Sequence, residues 1–233
     1  MKALYGKELR QLFHSMIGYA YLTAFTLICG YYFLTVNLLP SSGDIRPYFL
    51  SLFTVLLFLL PMITMRSVAE ERKSGTAILL TASPLGAGQI IAGKFLALFT
   101  FFLLSLLPCL LHLAVLGFLG VFERSLILCN LTGLCLCGAC FLSVGIFLSA
   151  LTENQVVACV ATYCALLLFF LIGYASSYVS LPALRGLCDA LSLQNRFYHF
   201  SMGILSFSDI AFFLSTAFGM LCLASLTVAH LRD

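Results

Sequence analysis

Six stretches of the chain are apolar, contain no Asp, Glu, Lys or Arg, and are long enough for a helix to cross a lipid bilayer. They lie near Met16–Leu39, Tyr48–Met65, Phe95–Leu119, Leu126–Leu151, Gln155–Val179 and Ile210–Leu231. A transmembrane helix needs about 20 residues, and in the hydrocarbon core only helices and closed barrels satisfy every backbone polar group. We therefore predict an all-α membrane protein with six transmembrane helices.

The balance of charge agrees with this prediction and sets the orientation. Hydrophobic residues make up 62% of the 233 residues and charged residues only 9%, too few to cover a surface in water. Lys and Arg concentrate on the cytoplasmic side of membrane proteins. The side with both termini holds eight basic residues, Lys2, Lys7, Arg10, Arg66, Arg72, Lys73, Lys94 and Arg232. The other side holds four, Arg46, Arg124, Arg185 and Arg196. We expect residues 1–233 to form one multi-pass domain in the lipid of the cell (cytoplasmic) membrane, with both termini in the cytoplasm.

One further uncharged stretch, Gly75–Gly93, is nearly long enough to be a seventh span. Its interior is less apolar than the six spans, and Pro84 within a Ser-Pro-Leu-Gly sequence breaks a helix near the middle. Basic residues flank it at both ends, Arg72 on one side and Lys94 on the other, as expected when both ends lie in the cytoplasm. We interpret residues 66–94 as a cytoplasmic segment between the second and third spans.

The N-terminal residues 1–15 carry apolar side chains at helical spacing, with Lys7, Glu8 and Arg10 among the polar positions. This pattern is typical of a helix that lies in the membrane interface. The apolar run that follows is too long for a secretory signal and has no small-residue cleavage site at the expected distance, so we interpret the segment as retained.

Residues that could do chemistry inside the membrane are scarce. His112 is the only ionisable residue other than Cys and Tyr well inside a span, and a lone histidine makes neither an acid–base pair nor a metal site. This argues against an intramembrane enzyme and against proton-coupled transport. Three cysteines, Cys135, Cys137 and Cys140, could bind a soft metal, but their spacing and the lack of a fourth ligand favour helix packing.

The sequence Gly88–Phe95 nearly fits the spacing of a phosphate-binding loop. It has Phe95 where a Ser or Thr hydroxyl should reach magnesium, and no buried strand precedes it. We therefore expect no nucleotide site, catalytic site or cofactor in this chain, and energy for any driven process must come from another subunit.

The sequence resembles a known family, the permease subunits of ABC-2 type transporters. The resemblance rests on Glu8 and Arg10 in the N-terminus, Pro61–Thr76, Leu79–Pro84, Gly93-Lys94, and Leu191-Ser192 through Asp209–Ser215. It covers essentially the whole chain, and the motif after the second span is the most specific part. The gliding-motility and nitrous-oxide-reductase maturation permeases look like the nearest branch.

The resemblance implies a partner and a surface for it. In the family, six-span subunits pair into dimers, either with a second copy or with a paralogue, and each subunit receives an ABC ATPase that carries the ATP and magnesium. We expect no nucleic-acid partner. The segment that couples to the ATPase would here contain Glu70, Glu71, Arg72, Lys73, Gly75 and Thr76. Without the resemblance, these charges could equally anchor the span ends at the lipid headgroups.

The external segment, residues 180–209, resembles the family's short helices that dip back between the last two spans. It is too apolar for a free loop, and we expect two short helices that meet near Gln194. An external gate would then contain Arg196, Phe197 and Phe200, with the two Phe side chains against the outer ends of the fifth and sixth spans and Arg196 at the outer headgroups.

Together these features predict the transmembrane permease subunit of an ATP-driven ABC transporter, with export as the direction that the family implies. The alternative is a membrane assembly or signalling component that docks a cytoplasmic partner without transporting anything.

Overall fold

The computed structural model describes residues 2–40, 42–75, 86–118, 124–176, 186, 189 and 191–230. This part of the chain is almost entirely helical and contains no strand. Its helices are α1 (Lys2–His14), α2 (Met16–Phe33, extended by a π-helical turn at Leu34–Leu38), α3 (Arg46–Thr64), α4 (Ala69–Lys73), α5 (Ala87–Ser105), α6 (Leu107–Phe118), α7 (Arg124–Leu151), α8 (Gln155–Ser176), α9 (Leu193–Ser201) and α10 (Phe207–His230).

The prediction of six membrane spans is confirmed. Within the described residues, six helical stretches are long and apolar enough to cross a membrane: Met16–Leu38, Arg46–Lys73, Ala87–Phe118, Arg124–Leu151, Gln155–Gly173 and Phe207–His230. The third stretch is formed by α5 and α6, which a break at Leu106 separates. Pro108 lies two residues after this break and has no N–H to donate, which accounts for the interruption.

The helix of the third span begins earlier than the sequence indicates. Helix α5 starts at Ala87, so Ala87–Lys94, at the end of the predicted cytoplasmic segment, forms its first two turns. The start is fixed locally, because the Gly86 N–H donates to the Gln89 side chain at 3.3 Å. The charge at Lys94 had suggested that the bilayer begins after it. Intramolecular partners neutralise that charge, as described below.

Helix α7 is the centre of the bundle and packs against α3, α5, α8, α9 and α10. Glycines on α7 allow this, because neighbouring side chains occupy the space that a Cβ atom would need. A Cβ at Gly138 would lie 2.3 Å from Phe102 of α5, and one at Gly145 would lie 2.2 Å from Thr64 of α3. Small residues at helix interfaces let membrane helices approach closely. Cys137 and Cys140 are buried on the same helix, within the apolar core.

The bundle has two ends that differ in their side chains. Ser149 of α7 contacts the start of α4, and Gly133 of α7 lies against Phe200 of α9. Sixteen helical residues separate these two positions, which corresponds to about 24 Å along the helix axis. We call these the α4 end, where α1 also packs against α5, and the α9 end.

Candidate functional site

The start of α4 is held by a hydroxyl group from the central helix. Ser149 Oγ accepts the N–H groups of Val68 and Ala69, each at 3.1 Å, and donates to the Met65 carbonyl at 3.1 Å. The acidic residues Glu70 and Glu71 then occupy the first turn and the basic residues Arg72 and Lys73 the last. This order complements the partial charges at the two helix ends. The result is a short helix fixed to α7 at its first residue.

Lys94 lies at the centre of an ion-pair network that joins three segments at the α4 end. Its side chain is only 2% exposed. The ammonium nitrogen lies 3.0 Å from Glu8 Oε1 of α1 and 2.8 Å from Glu71 Oε2 of α4. It also donates to the Ser67 carbonyl at 2.6 Å. Lys7 completes the network, with its Nζ 3.3 Å from Glu71 Oε1 and 3.7 Å from Glu8 Oε1.

This network explains why a lysine is tolerated within the third span. A buried ammonium group is costly unless charged or polar partners satisfy it, and here two carboxylates and a carbonyl do so. We name Lys7, Glu8, Glu71 and Lys94 the Lys94 network. Through it, α1, α4 and α5 are bonded to one another.

A second set of bonds ties α4 to the corner between the fourth and fifth spans. Arg72 Nη1 donates to the Ala150 carbonyl at 2.7 Å, and Nη2 lies 3.0 Å from Glu153 Oε1. On the other side of α4, Arg66 Nε lies 3.7 Å from Glu70 Oε2. Glu70 and Arg72 of α4 are therefore both paired within the chain.

The residues that were predicted to couple to a partner divide into two groups. Glu71 and Arg72 are mostly occupied by the intramolecular bonds above, and Glu70 is partly exposed. Lys73 and Gly75 are exposed, and Gly75 has a left-handed backbone with φ of 71°. Thr76 lies outside the described residues. In the N-terminal helix, Lys7 and Glu8 belong to the Lys94 network, whereas Arg10 is exposed.

Sequence reasoning missed the roles of Lys94 and Ser149. Lys94 was interpreted only as a flanking charge, although a lysine among uniformly apolar neighbours requires buried acceptors. Ser149 gives no such signal, because serines are common within membrane helices and most of them bond to their own backbone.

At the α9 end, the polar side chains converge on Asp209, at the start of the sixth span. Arg196 Nη1 lies 2.7 Å from Asp209 Oδ1, and His199 Nδ1 lies 2.8 Å from Oδ2. The Arg196 guanidinium also lies over the Phe212 ring, 4.1 Å from its centroid. Arg196 is thus largely buried in an ion pair, and its position at the outer headgroups stays a prediction. Asp209 was not predicted, although it is the only acidic residue between 190 and 232.

The two Phe side chains of the expected gate are fully buried. Phe197 stacks on Phe53 of the second span, with ring centroids 4.7 Å apart. Phe200 packs against Gly133 of the fourth span and lies 6.2 Å from Phe213 of the sixth. Helix α9 also packs against α8, the fifth span, and the role of the two side chains as a gate stays a prediction. The rotation of α9 about its axis decides these contacts, and the sequence does not fix it.

The break that was expected near Gln194 lies slightly earlier. Helix α9 begins at Leu193, and Ser192 Oγ caps it by accepting the Asn195 N–H at 3.1 Å. Most of residues 177–190, where the other predicted external helix falls, lies outside the described residues.

Among the described residues, no three His, Cys, Asp or Glu side chains are grouped so that they could hold a metal ion. The sequence Gly88–Phe95, which nearly fits a phosphate-binding loop, is helical. Its backbone N–H groups beyond the first turn are therefore used within the helix and are not presented to a ligand.

Comparison with protein families identifies the chain over most of its length. The model of a family described as ABC-2 family transporter protein matches residues 34–229. These residues include the end of the first span, the other five spans, α4 and α9. No curated protein matches the chain.

Proposed function

The chain belongs to the ABC-2 family of transporter proteins and is therefore a permease component of an ABC transporter; we propose that a separate ATPase binds at its α4 end and drives export. The α4 end would then face the cytoplasm, with both termini. The family membership implies an ATPase partner in general. The position of its binding surface, the direction of transport and the oligomeric state are the proposal.

The observation that carries the proposal is the way α4 is bonded to the bundle. Ser149 joins α4 to the fourth span, Lys94 joins it to the third, and Glu153 joins it to the corner before the fifth. A short helix attached to three spans cannot shift without moving them. A partner that displaces α4 would therefore change the packing around α7, which is the centre of the bundle.

The surface that α4 offers to a partner is its C-terminal end. Lys73, Ser74 and Gly75 are exposed there, whereas Glu71 is needed to neutralise Lys94. We therefore propose that Lys73 and the neighbouring backbone contact the ATPase, with Glu70 at the margin of the surface. A basic side chain in this position would select an acidic site on the partner and set its register.

We propose that two permease chains pair in the membrane through spans that the single chain leaves uncovered. The fifth and sixth spans are buried over only 22% and 17% of their apolar windows, compared with 67% for the fourth span. Lipid or a second chain must cover these faces. Disulfide crosslinking between single cysteines placed on α8, at Leu168 or Leu171, tests this arrangement; no crosslinked dimer at either site would argue against pairing through α8.

At the α9 end, we propose that α9 closes the export path while Asp209 holds Arg196 and His199. Phe197 and Phe200 then fill the space above the second and fourth spans. The contacts that carry this are the two bonds to Asp209, because they join α9 to the first turn of the sixth span.

The experiment that tests the ATPase surface is a charge reversal at Lys73. We expect Lys73→Glu to reduce co-purification of the ATPase, while the permease itself remains inserted and folded because Lys73 is exposed. Arg46→Glu is the matched control, since Arg46, the first residue of α3, is partly exposed at the α9 end. Unchanged co-purification of Lys73→Glu would remove Lys73 from the surface.

A further inference from the structure

A cavity of about 40 Å³ lies beside the Lys94 network, between α1, the α3–α4 corner and α5. Its lining includes the polar residues Arg66, Ser67 and Glu70, which we call the polar wall, and the apolar side chains of Ile63 and Leu98. Glu8 lines the cavity and also bonds to Lys94, so the two features share a side chain.

Three buried polar atoms belong to the residues of this polar wall. They are Arg66 Nε, Ser67 Oγ and Glu70 Oε2, and none has a hydrogen-bond partner among the protein groups of the described chain. The Ser67 residue is 8% exposed. Arg66 Nε and Glu70 Oε2 are 3.7 Å apart, which is beyond direct hydrogen-bonding distance. In a folded protein, buried polar groups of this kind are almost always satisfied.

The cavity has the size and chemistry to satisfy all three atoms with water. A bound water needs a cavity of about 10–15 Å³ and two to four polar partners. An ion pair that is slightly too long for direct contact is a common position for a bridging water. We propose that this cavity is a hydration site, in which ordered water bonds to Arg66, Ser67 and Glu70 and joins the α3–α4 corner to α1.

The hydrogen bonds can be assigned from the donors and acceptors that are present. The Arg66 Nε–H donates to a water oxygen, and that water donates one hydrogen to Glu70 Oε2 and the other to Ser67 Oγ. The Ser67 hydroxyl then donates to a second water, for which the volume leaves room, or to a carboxylate oxygen. Each of the three protein atoms gains a partner in this arrangement.

The hydration site distinguishes this side of α4 from the sides that are bonded directly to the bundle. Around it, α4 is fixed by direct bonds to Ser149, Lys94 and Glu153. On this one side, its contact with the corner passes through water, which can exchange hydrogen-bond partners without leaving a buried group unsatisfied. The inference concerns hydration alone and does not depend on the chain's being an exporter or on any ATPase contact.

Radiolytic hydroxyl-radical labelling of the full chain in nanodiscs tests the proposal. X-rays generate radicals from bound water in place, so side chains beside that water become oxidised even when they are buried. Ile63 and Leu98 are 2% and 4% exposed and line the cavity, whereas Leu60, one turn from Ile63 on α3, is 0% exposed and does not. We expect at least a fivefold greater oxidation of Ile63 and Leu98 than of Leu60. Oxidation of all three at the Leu60 level would overturn the proposal.

A variant that fills the site provides the second measurement. Ser67→Val removes the hydroxyl and adds apolar volume, so it should displace water and reduce the oxidation of Ile63 and Leu98 toward that of Leu60. Ser143→Val is the matched control, because Ser143 is also buried but bonds to the Cys140 carbonyl at 2.7 Å. Unreduced labelling in a folded Ser67→Val chain would contradict the role of Ser67, and the comparison within the unmodified chain stands even if the variant does not fold.

Discussion

Replacing Lys94 by methionine removes the charge at the centre of the Lys94 network while keeping most of the side-chain volume. The ammonium group is bonded to Glu8, to Glu71 and to the Ser67 carbonyl. Without it, two carboxylates face each other at the α4 end with only Lys7 opposite them. We expect α1 and α4 to separate from the start of α5.

The magnitude follows from the burial of the partners. Removing one member of a fully buried ion pair costs about 3–5 kcal/mol, because the other charge is left uncompensated. Glu8 and Glu71 retain 13% exposure, and some water can therefore reach them after the change. Lys7 is exposed and compensates by only about 0–1 kcal/mol. We expect Lys94→Met to lower the free energy of unfolding by about 3 kcal/mol, which for a chain of this length lowers the Tm by roughly 6–12 °C.

The assay is thermal unfolding of the chain in nanodiscs, with Lys73→Met as the control for loss of one positive charge. Lys73 is exposed, so its replacement should change stability by less than about 0.5 kcal/mol. Adding Glu8→Gln and Glu71→Gln to Lys94→Met should restore part of the loss, because the uncompensated charges are then gone. A Tm for Lys94→Met equal to that of Lys73→Met would refute the reasoning, since the network would then contribute nothing.

Two further predictions follow from the ends of the bundle. Asp209→Asn should leave the Arg196 guanidinium without its carboxylate and destabilise the α9 end by about 1–3 kcal/mol, which faster amide hydrogen exchange in Leu193–Ser201 would report. The control Asp44→Asn, at an exposed position of the same end, should not change that exchange. Slow exchange in both variants would contradict the bond between Asp209 and Arg196. Cysteines introduced at Ser74 and Gln89, in a background without native cysteines, should both be protected from an impermeant thiol reagent in intact cells, whereas labelling of either from outside would overturn the proposed orientation.

The number and position of the spans could be predicted because they depend on local composition. A run of about 20 uncharged apolar residues is recognisable without knowing its neighbours, and five of the six runs have ends within a few residues of the observed helices, α2 with its π-helical turn, α3, α7, α8 and α10. The start of the third span is the exception. A lysine inside a helix looks like a span boundary unless its partners are known, and the hydrogen-bonded partner Glu8 is 86 residues away in the chain.

The details of both candidate sites depend on how helices are rotated against one another, which hydropathy does not determine. The charged residues of α4 were recognised, but the division between those that face inward and those that face a partner was not. Glu71 was expected on a partner surface, and its bond to Lys94 was not foreseen. Phe197 and Phe200 were expected against the fifth and sixth spans, and the stacking of Phe197 on Phe53 of the second span was not foreseen. The charge of Glu71 and the burial of Phe197 were predicted from the sequence, and only their neighbours in the fold were unknown.

We expect a partner bound at the α4 end to change the packing at the α9 end, because α7 contacts both α4 and α9. The most direct measurement is amide hydrogen exchange of Leu193–Ser201 in the complex with the ATPase, reconstituted in nanodiscs, with and without a non-hydrolysable ATP analogue. We predict that the analogue changes exchange in this helix in the native complex, and that Ser149→Ala, which removes the bond between α4 and α7, weakens the change. An ATPase that binds the chain and the nucleotide, yet leaves exchange in Leu193–Ser201 unaltered, would contradict the account and favour a protein that only docks its partner.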